Sequence, residues 1–139
     1  MSIKKAAIKK PKQFADTSIY GNLQTLIDSF FNVYENFRRD IRNIYGSDML
    51  RFLEQARDNM YFSYSSKILQ EKIIYSVNSI KEINKFELRV CTLVSPNVRI
   101  ITIPTASNLT RQIGEIKGQL NSWITSLQAK SQNEQKCDR

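Results

Sequence analysis

The chain has 139 residues, of which 41% are hydrophobic and 24% are charged, a composition typical of one globular domain. It contains no histidine and only two cysteines, which removes the commonest general base and metal ligand and excludes a zinc site. The formal net charge is +8, and five lysines among the first twelve residues supply more than half of it.

No apolar run approaches the roughly 20 residues that span a bilayer, and no signal-type segment follows the basic start. We therefore expect a cytoplasmic protein without a membrane partner. Cys91 lies in a helical pattern and Cys137 lies in a polar stretch, so we expect no disulfide between them.

Residues 1–17 are predicted to form a flexible basic arm that ends at a helix start, because residues 16–18 are good N-cap types. Apolar residues then recur at steps of three and four, which predicts an amphipathic first helix. We expect this helix to end at Tyr45 and Gly46, since glycine is common after helix C-termini. The apolar positions are Ile19, Leu23, Leu26, Ile27, Phe30, Tyr34, Phe37 and Ile41.

Ser47 and Asp48 are predicted to cap a second helix, which extends to the serines that follow Tyr64. A third helix follows and stops before Pro96, because proline removes a backbone donor. The apolar positions of the second helix are Leu50, Leu53, Ala56, Met60 and Tyr64. Those of the third helix are Leu69, Ile73, Val77, Ile80, Ile83, Val90 and Val94.

Residues 97–104 form a short segment rich in β-branched side chains, which predicts an extended connection over the end of the bundle. The alternative is a strand that adds to a partner's sheet. A fourth helix follows Pro104, with apolar steps typical of a coiled-coil seam. Gly114 and Gly118 are expected to allow close helix packing. The seam positions are Leu109, Ile113, Ile116, Leu120, Trp123 and Leu127.

These four patterns predict an all-α fold, an antiparallel up-down-up-down four-helix bundle over residues 18–129, with a polar C-terminal tail at residues 130–139. Phe30 and Phe31 are adjacent and cannot both face one narrow seam. Tyr61, Phe62 and Tyr64 crowd the second helix in the same way. We therefore expect a homo-oligomer, in a ring or barrel, that buries the extra apolar face.

The sequence carries no motif of a catalytic or cofactor-binding site. Neither a phosphate-binding Gly-x-x-x-x-Gly-Lys loop nor a Gly-x-Gly-x-x-Gly dinucleotide loop is present. Scattered carboxylates such as Glu35 and Glu54 are typical of solvated helix faces. We expect a protein that is not an enzyme and has no cofactor.

The sequence feature that points to a function is a set of basic residues on the predicted helices. Lys81, Lys85 and Arg89 are spaced to share one face of the third helix, and a second cluster closes the predicted first helix. Both groups are candidates for binding the phosphates of nucleic acid, and the alternative is a solvated helix face. The second cluster comprises Arg38, Arg39 and Arg42.

Three stretches of the sequence, residues 19–50, 80–94 and 111–124, resemble one family of small helical-bundle proteins. The last stretch, with its Ile-Gly-Glu-Ile step and Trp123, carries the resemblance furthest. One branch of that family is the accessory variability determinant (Avd) proteins of diversity-generating retroelements. The other branch is the proteins encoded by intervening sequences in large-subunit ribosomal RNA genes.

The resemblance implies a four-helix bundle assembled into a barrel-shaped homopentamer. For the Avd branch, it implies binding to template RNA or cDNA and to the reverse transcriptase, which does the catalytic work of mutagenic retrohoming. The family's basic surface is carried over to Lys81, Lys85 and Arg89 alone. For the other branch it implies a structural bundle protein with no reverse-transcriptase partner.

Three features bear on the choice between the branches. Residues 60–64 read Met-Tyr-Phe-Ser-Tyr where the intervening-sequence branch often has an Ile-Ala-Glu-Gly-like step, and the pI is about 9.6; both favour Avd. The region from Gln13 to Ala129 has 13 basic and 11 acidic residues, and this low charge favours the other branch. Arg38 follows Phe37 where the family usually has proline.

Overall fold

The computed structural model describes residues 13–137, with the side chains of residues 13–135. Within that part of the chain every regular element is helical, which confirms the all-α class. Four long helices pack so that α1 and α3 each contact both α2 and α4. None of them combines the length and the apolar character that a bilayer span requires. The helices are α1 (Ser18–Tyr34), α2 (Ser47–Ser65), α3 (Leu69–Val94) and α4 (Ile103–Cys137).

The helical unit extends beyond both predicted bounds. Residues 1–12 of the predicted arm lie outside the described residues, but Phe14 is buried and its ring meets that of Tyr20 edge-on, with centroids 5.3 Å apart. At the other end, α4 continues through the predicted tail as far as Cys137. Gln70 donates a hydrogen bond to Ser131 Oγ at 3.1 Å, which ties this last part of α4 to α3.

The first helix ends earlier than predicted. Helix α1 stops at Tyr34, and the chain turns through residues 35–38 before a helical turn begins at Arg39. No glycine or proline marks this turn. The Arg42 guanidinium holds it, because Nη2 donates to the backbone oxygens of Glu35 and Phe37, each at 3.2 Å. A hydrogen-bonded contact from an arginine five to seven residues further along thus accompanies the end of α1, where neither glycine nor proline gives a stop signal.

Gly46 does not terminate a helix, and this prediction was wrong. It closes a π-helical turn, Arg42–Gly46, that leads directly into α2 with right-handed helical backbone angles. The predicted caps Ser47 and Asp48 therefore lie within a continuous helical segment. A Cβ on Gly46 would lie 2.6 Å from Cδ2 of Tyr34, so glycine is needed here for close approach and not for a chain break.

The core forms along the predicted stripes of α1, α2 and α4, but α3 departs from its pattern. Val77 was expected inside and is 36% exposed, whereas Ser76 and Ser79 are fully buried. Ser79 Oγ donates to the Ala56 oxygen at 2.8 Å, so small polar residues form the contact of this half of α3 with α2. Further along, Phe86 of α3 is buried and meets Phe30 of α1 edge-on at 5.1 Å.

The α3–α4 connection contains no strand in the described structure, and Ile101 anchors it in the core at 2% exposure. The close packing expected at Gly114 and Gly118 is wrong for the described chain. Both glycines are exposed, and a Cβ built on either would meet nothing within 4 Å.

Replacing Gly46 with alanine is expected to destabilise the protein by about 1–3 kcal/mol, because the added methyl overlaps the Tyr34 ring. The free energy of unfolding from urea denaturation measures the effect. In a Tyr34→Ala background the same substitution is expected to cost less than about 1 kcal/mol, since the obstructing ring is gone.

The matched control is Gly114→Ala, which adds the same methyl to an open helix surface. It is expected to stabilise the protein by up to about 1 kcal/mol, from helix propensity alone. A Gly46→Ala protein as stable as the Gly114→Ala protein would contradict the steric role of Gly46.

Candidate nucleic-acid interface

The predicted basic row lies on α3, on the surface of the bundle. Lys81 and Lys85 are exposed and Arg89 is half-buried. Lys85 Nζ lies 3.1 Å from Glu82 Oε1, one turn back along the helix. Glu87 of the same helix pairs at 3.1 Å with Lys117 of α4. The row therefore keeps one acidic neighbour on its own helix.

The end of this row meets α2 at the ring of Phe52. Lys85 Nζ lies 5.7 Å from the ring centroid and Arg89 Cζ lies 6.0 Å from it. Arg51 of α2 approaches the same ring, with Cζ at 5.9 Å. Cations are attracted to the faces of aromatic rings, so one buried phenylalanine gathers three positive side chains from two helices. We call Arg51, Phe52, Lys85 and Arg89 the Phe52 cluster.

Two carboxylates moderate the charge of the Phe52 cluster. Asp48 pairs with Arg51 at 3.0 Å, and Glu82 pairs with Lys85. Glu82 Oε2 is buried and has no hydrogen-bond partner among the described residues. Arg89 makes no ion pair within that part of the chain, and its guanidinium also covers the Tyr45 ring at 5.4 Å.

Arg51 was missed by the sequence analysis. Its spacing from Asp48 looks like an ordinary pair on a helix surface, a common arrangement with little functional meaning. Only the packing of α2 on α3 brings it beside Lys85 and Arg89. A sequence signal for it would require knowing which turn of α2 faces which turn of α3.

The second predicted cluster lies at the turn between α1 and α2. Arg42 is half-buried, holds the turn through two backbone oxygens and stacks over Tyr34 at 5.7 Å. Arg38 pairs with Asp40 at 3.4 Å and leaves 77% of its side chain exposed. Arg39 is exposed. No hydrogen bond or ion pair among residues 13–135 joins these arginines to the α3 row.

An open groove of about 860 Å³ lies between the start of α1, the end of α2 and the second half of α4. The half-buried Trp123 lines it, and its Nε1 donates to Ser63 Oγ at 3.0 Å. Lys72 lies over the indole and donates to the backbone oxygens of Ser63 and Tyr64. Burial lowers the pKa of Lys72, and the charge of Lys130 lowers it further.

The described residues bring together no group of three or more His, Cys, Asp or Glu side chains that could hold a metal ion. No protein-family model matches the sequence, and no curated protein matches it significantly. The Avd-like resemblance therefore stays a prediction.

Replacing Trp123 with alanine is expected to cost about 3 kcal/mol of stability, because a large ring packed against the core is lost. Trp123→Phe is expected to cost about 1 kcal/mol, since it keeps a ring but leaves Ser63 Oγ without the indole donor. Chemical denaturation measures both. A cost below about 1 kcal/mol for Trp123→Ala would mean that the end of α4 does not pack on the core.

Proposed function

We propose that the protein is a non-catalytic accessory subunit of a diversity-generating retroelement, of the Avd type. It binds template RNA or cDNA and the reverse transcriptase, and so supports mutagenic retrohoming. The observation that carries the nucleic-acid part is the gathering of Lys85 and Arg89 with Arg51 on one face of the bundle. The reverse-transcriptase partner is inferred from the resemblance of residues 19–50, 80–94 and 111–124.

The proposed binding chemistry is electrostatic. Each lysine or arginine that contacts a phosphate neutralises a backbone charge and releases a condensed counterion, which is entropically favourable. Lys81 and Lys85 are exposed and available for such contacts. Arg38 and Arg39 are exposed as well and add a second candidate contact at the α1–α2 turn, whereas Arg42 is engaged with backbone oxygens.

The proposed bundle is antiparallel. Asn22 donates to Gln119 at 2.8 Å, and Gln112 donates to Ser29 at 3.1 Å. Residue numbers thus rise along α1 as they fall along α4, which supports opposite directions for these two helices. The contacts of Ser63 with Ser76 and of Ala56 with Ser79 support the same relation between α2 and α3.

The proposed assembly is a homo-oligomeric ring. Phe31, Tyr61 and Phe62 leave 42%, 50% and 47% of their surfaces exposed, an amount of aromatic surface that a self-contact would bury. The pentamer number itself is taken from the resemblance. A ring would repeat each basic face and convert a modest patch into strong binding by multivalency.

The first experiment is the mass of the purified protein in solution by light scattering, with and without a short RNA–DNA hybrid, at low and high salt. We expect a ring-sized oligomer that takes up the hybrid at low salt and releases it at high salt. A ring that ignores nucleic acid would favour the intervening-sequence type of protein, and a monomer would contradict the family resemblance. A neighbouring reverse-transcriptase gene with a template repeat also separates the two types.

Simultaneous charge reversal at Lys81, Lys85 and Arg89 is expected to weaken nucleic-acid binding by about 100-fold without unfolding the bundle, because phosphate contacts become repulsions. Fluorescence anisotropy with a labelled RNA measures the affinity, and circular dichroism checks the fold.

The matched control reverses Lys67, Arg111 and Lys130, three exposed cations elsewhere on the molecule, and changes the net charge by the same amount. It is expected to weaken binding far less. Equal losses in the two proteins would show that net charge alone governs binding and would reject the α3 face.

A further inference from the structure

The three cations of the Phe52 cluster form a group around one aromatic ring. Each lies within 6.0 Å of the same ring centroid, so no two of them are more than about 12 Å apart. Arg51 comes from α2, whereas Lys85 and Arg89 come from α3. The group therefore exists only where the two helices pack together, and it is not a feature of either helix alone.

The cations of the group remain available to a ligand. The side chains of Arg51 and Lys85 are 59% and 54% exposed. The ion pair of Arg51 with Asp48 lies on the surface, and such pairs are typically weak, so a phosphate can compete with Asp48 for the arginine. Glu82, the partner of Lys85, is only 14% exposed, so Lys85 keeps this carboxylate as a neighbour while its own side chain stays open to solvent. Arg89 brings a third charge without an ion-pair partner among the described residues.

The aromatic rings beneath the cations are not available to a ligand. Phe52 is only 8% exposed, and the Arg89 guanidinium covers Tyr45. Nucleobases bind proteins by stacking on open aromatic faces, and the cluster offers no open face of that kind. Its accessible chemistry is therefore positive charge and N–H donors, which match phosphate oxygens.

We infer that Arg51, Lys85 and Arg89 together form a single seat for the phosphodiester backbone of a nucleic acid, and that this seat is indifferent to base identity. The inference rests on the proposed nucleic-acid binding and deepens it by adding Arg51, a residue of α2, to the binding surface. Phosphate contacts fix the position of a strand without reading its sequence, so this seat positions the strand and does not select among sequences.

The test uses the double variant Asp48→Asn/Arg51→Gln in the full-length protein. It removes one positive and one negative charge and leaves the net charge unchanged. We expect its affinity for a labelled single-stranded RNA to fall about tenfold, because the arginine contact with phosphate is lost. The slope of log affinity against log salt is expected to become shallower by about 0.7. The losses should be equal on oligo(U) and on a mixed sequence.

The matched control is Arg111→Gln/Glu115→Gln, which removes a pair of the same 3.0 Å length and similar exposure from α4. We expect it to bind as the parent protein does. Arg51→Lys is a second test variant, which keeps the charge and the fold while losing the forked donor; it is expected to bind about two- to threefold more weakly. Thermal melting by circular dichroism confirms that each variant is folded.

The outcomes separate the seat from the proposed function. If the parent protein binds RNA, and charge reversal on α3 weakens binding while both Arg51 variants bind as the control does, the seat is rejected and the proposed function stands. If the parent protein binds neither RNA nor DNA, the proposed function fails and the seat with it. A loss confined to one base composition would overturn the backbone-only assignment.

Discussion

The contact between α2 and α3 rests on serine side chains that the core excludes from water. Ser63, Ser76 and Ser79 are fully buried, yet each is hydrogen-bonded: Ser63 Oγ and Ser76 Oγ lie 2.7 Å apart, and Ser79 bonds the Ala56 oxygen of the facing helix. A buried hydroxyl without a partner costs free energy, whereas a paired one fixes the relative position of the two helices. The serine contact thus sets the register of α2 against α3. That register also brings Arg51 of α2 beside Lys85 and Arg89 of α3, which completes the Phe52 cluster.

The turn at residues 35–38 and the π-helical turn after it help to position α2 from its other end, where the helix begins. Arg42 satisfies backbone oxygens at the end of α1, where a helix otherwise leaves carbonyls without partners. Gly46 lets this segment approach Tyr34 more closely than any residue with a Cβ could. Tyr45 lies in the same π-helical turn and packs under Arg89. The turn between α1 and α2 therefore contributes both to the packing of α1 and to the basic surface. Arg42 stabilises the turn, Tyr45 packs under Arg89, and Arg38 and Arg39 stay exposed.

The periodicity of apolar residues predicted the four long helices and most of the core, because apolar residues at three- and four-residue steps line up on one face of a helix and that face packs inward. It failed where a tertiary contact outweighed a local signal. Gly46 looked like a helix terminator, but close packing explains it. Val77 looked like a core residue, but the smaller Ser76 and Ser79 take the contact face. Lys85 and Arg89 could be selected from spacing on one helix, whereas the contribution of Arg51 depends on the pairing of two helices, and spacing along a sequence carries no information about that.

The proposed nucleic-acid binding has to be compatible with the charge distribution of a nearly neutral bundle. Residues 13–129 carry 13 basic and 11 acidic side chains, so no strong overall field attracts a polyanion to the bundle. The Phe52 cluster instead places three cations around one ring, with two carboxylates beside them. The local excess of positive charge is small, so one copy of the chain can bind only a few phosphates. Binding through a few phosphates is weak, because both the affinity and its salt dependence grow with the number of phosphates contacted. Tight binding of a nucleic acid would then require several such seats at fixed spacing, which the proposed ring would supply. Once one seat holds a strand, binding of the same strand to a second seat is intramolecular and therefore more favourable. In the proposed function, self-assembly through the exposed aromatic side chains would therefore determine how strongly the basic cluster binds nucleic acid.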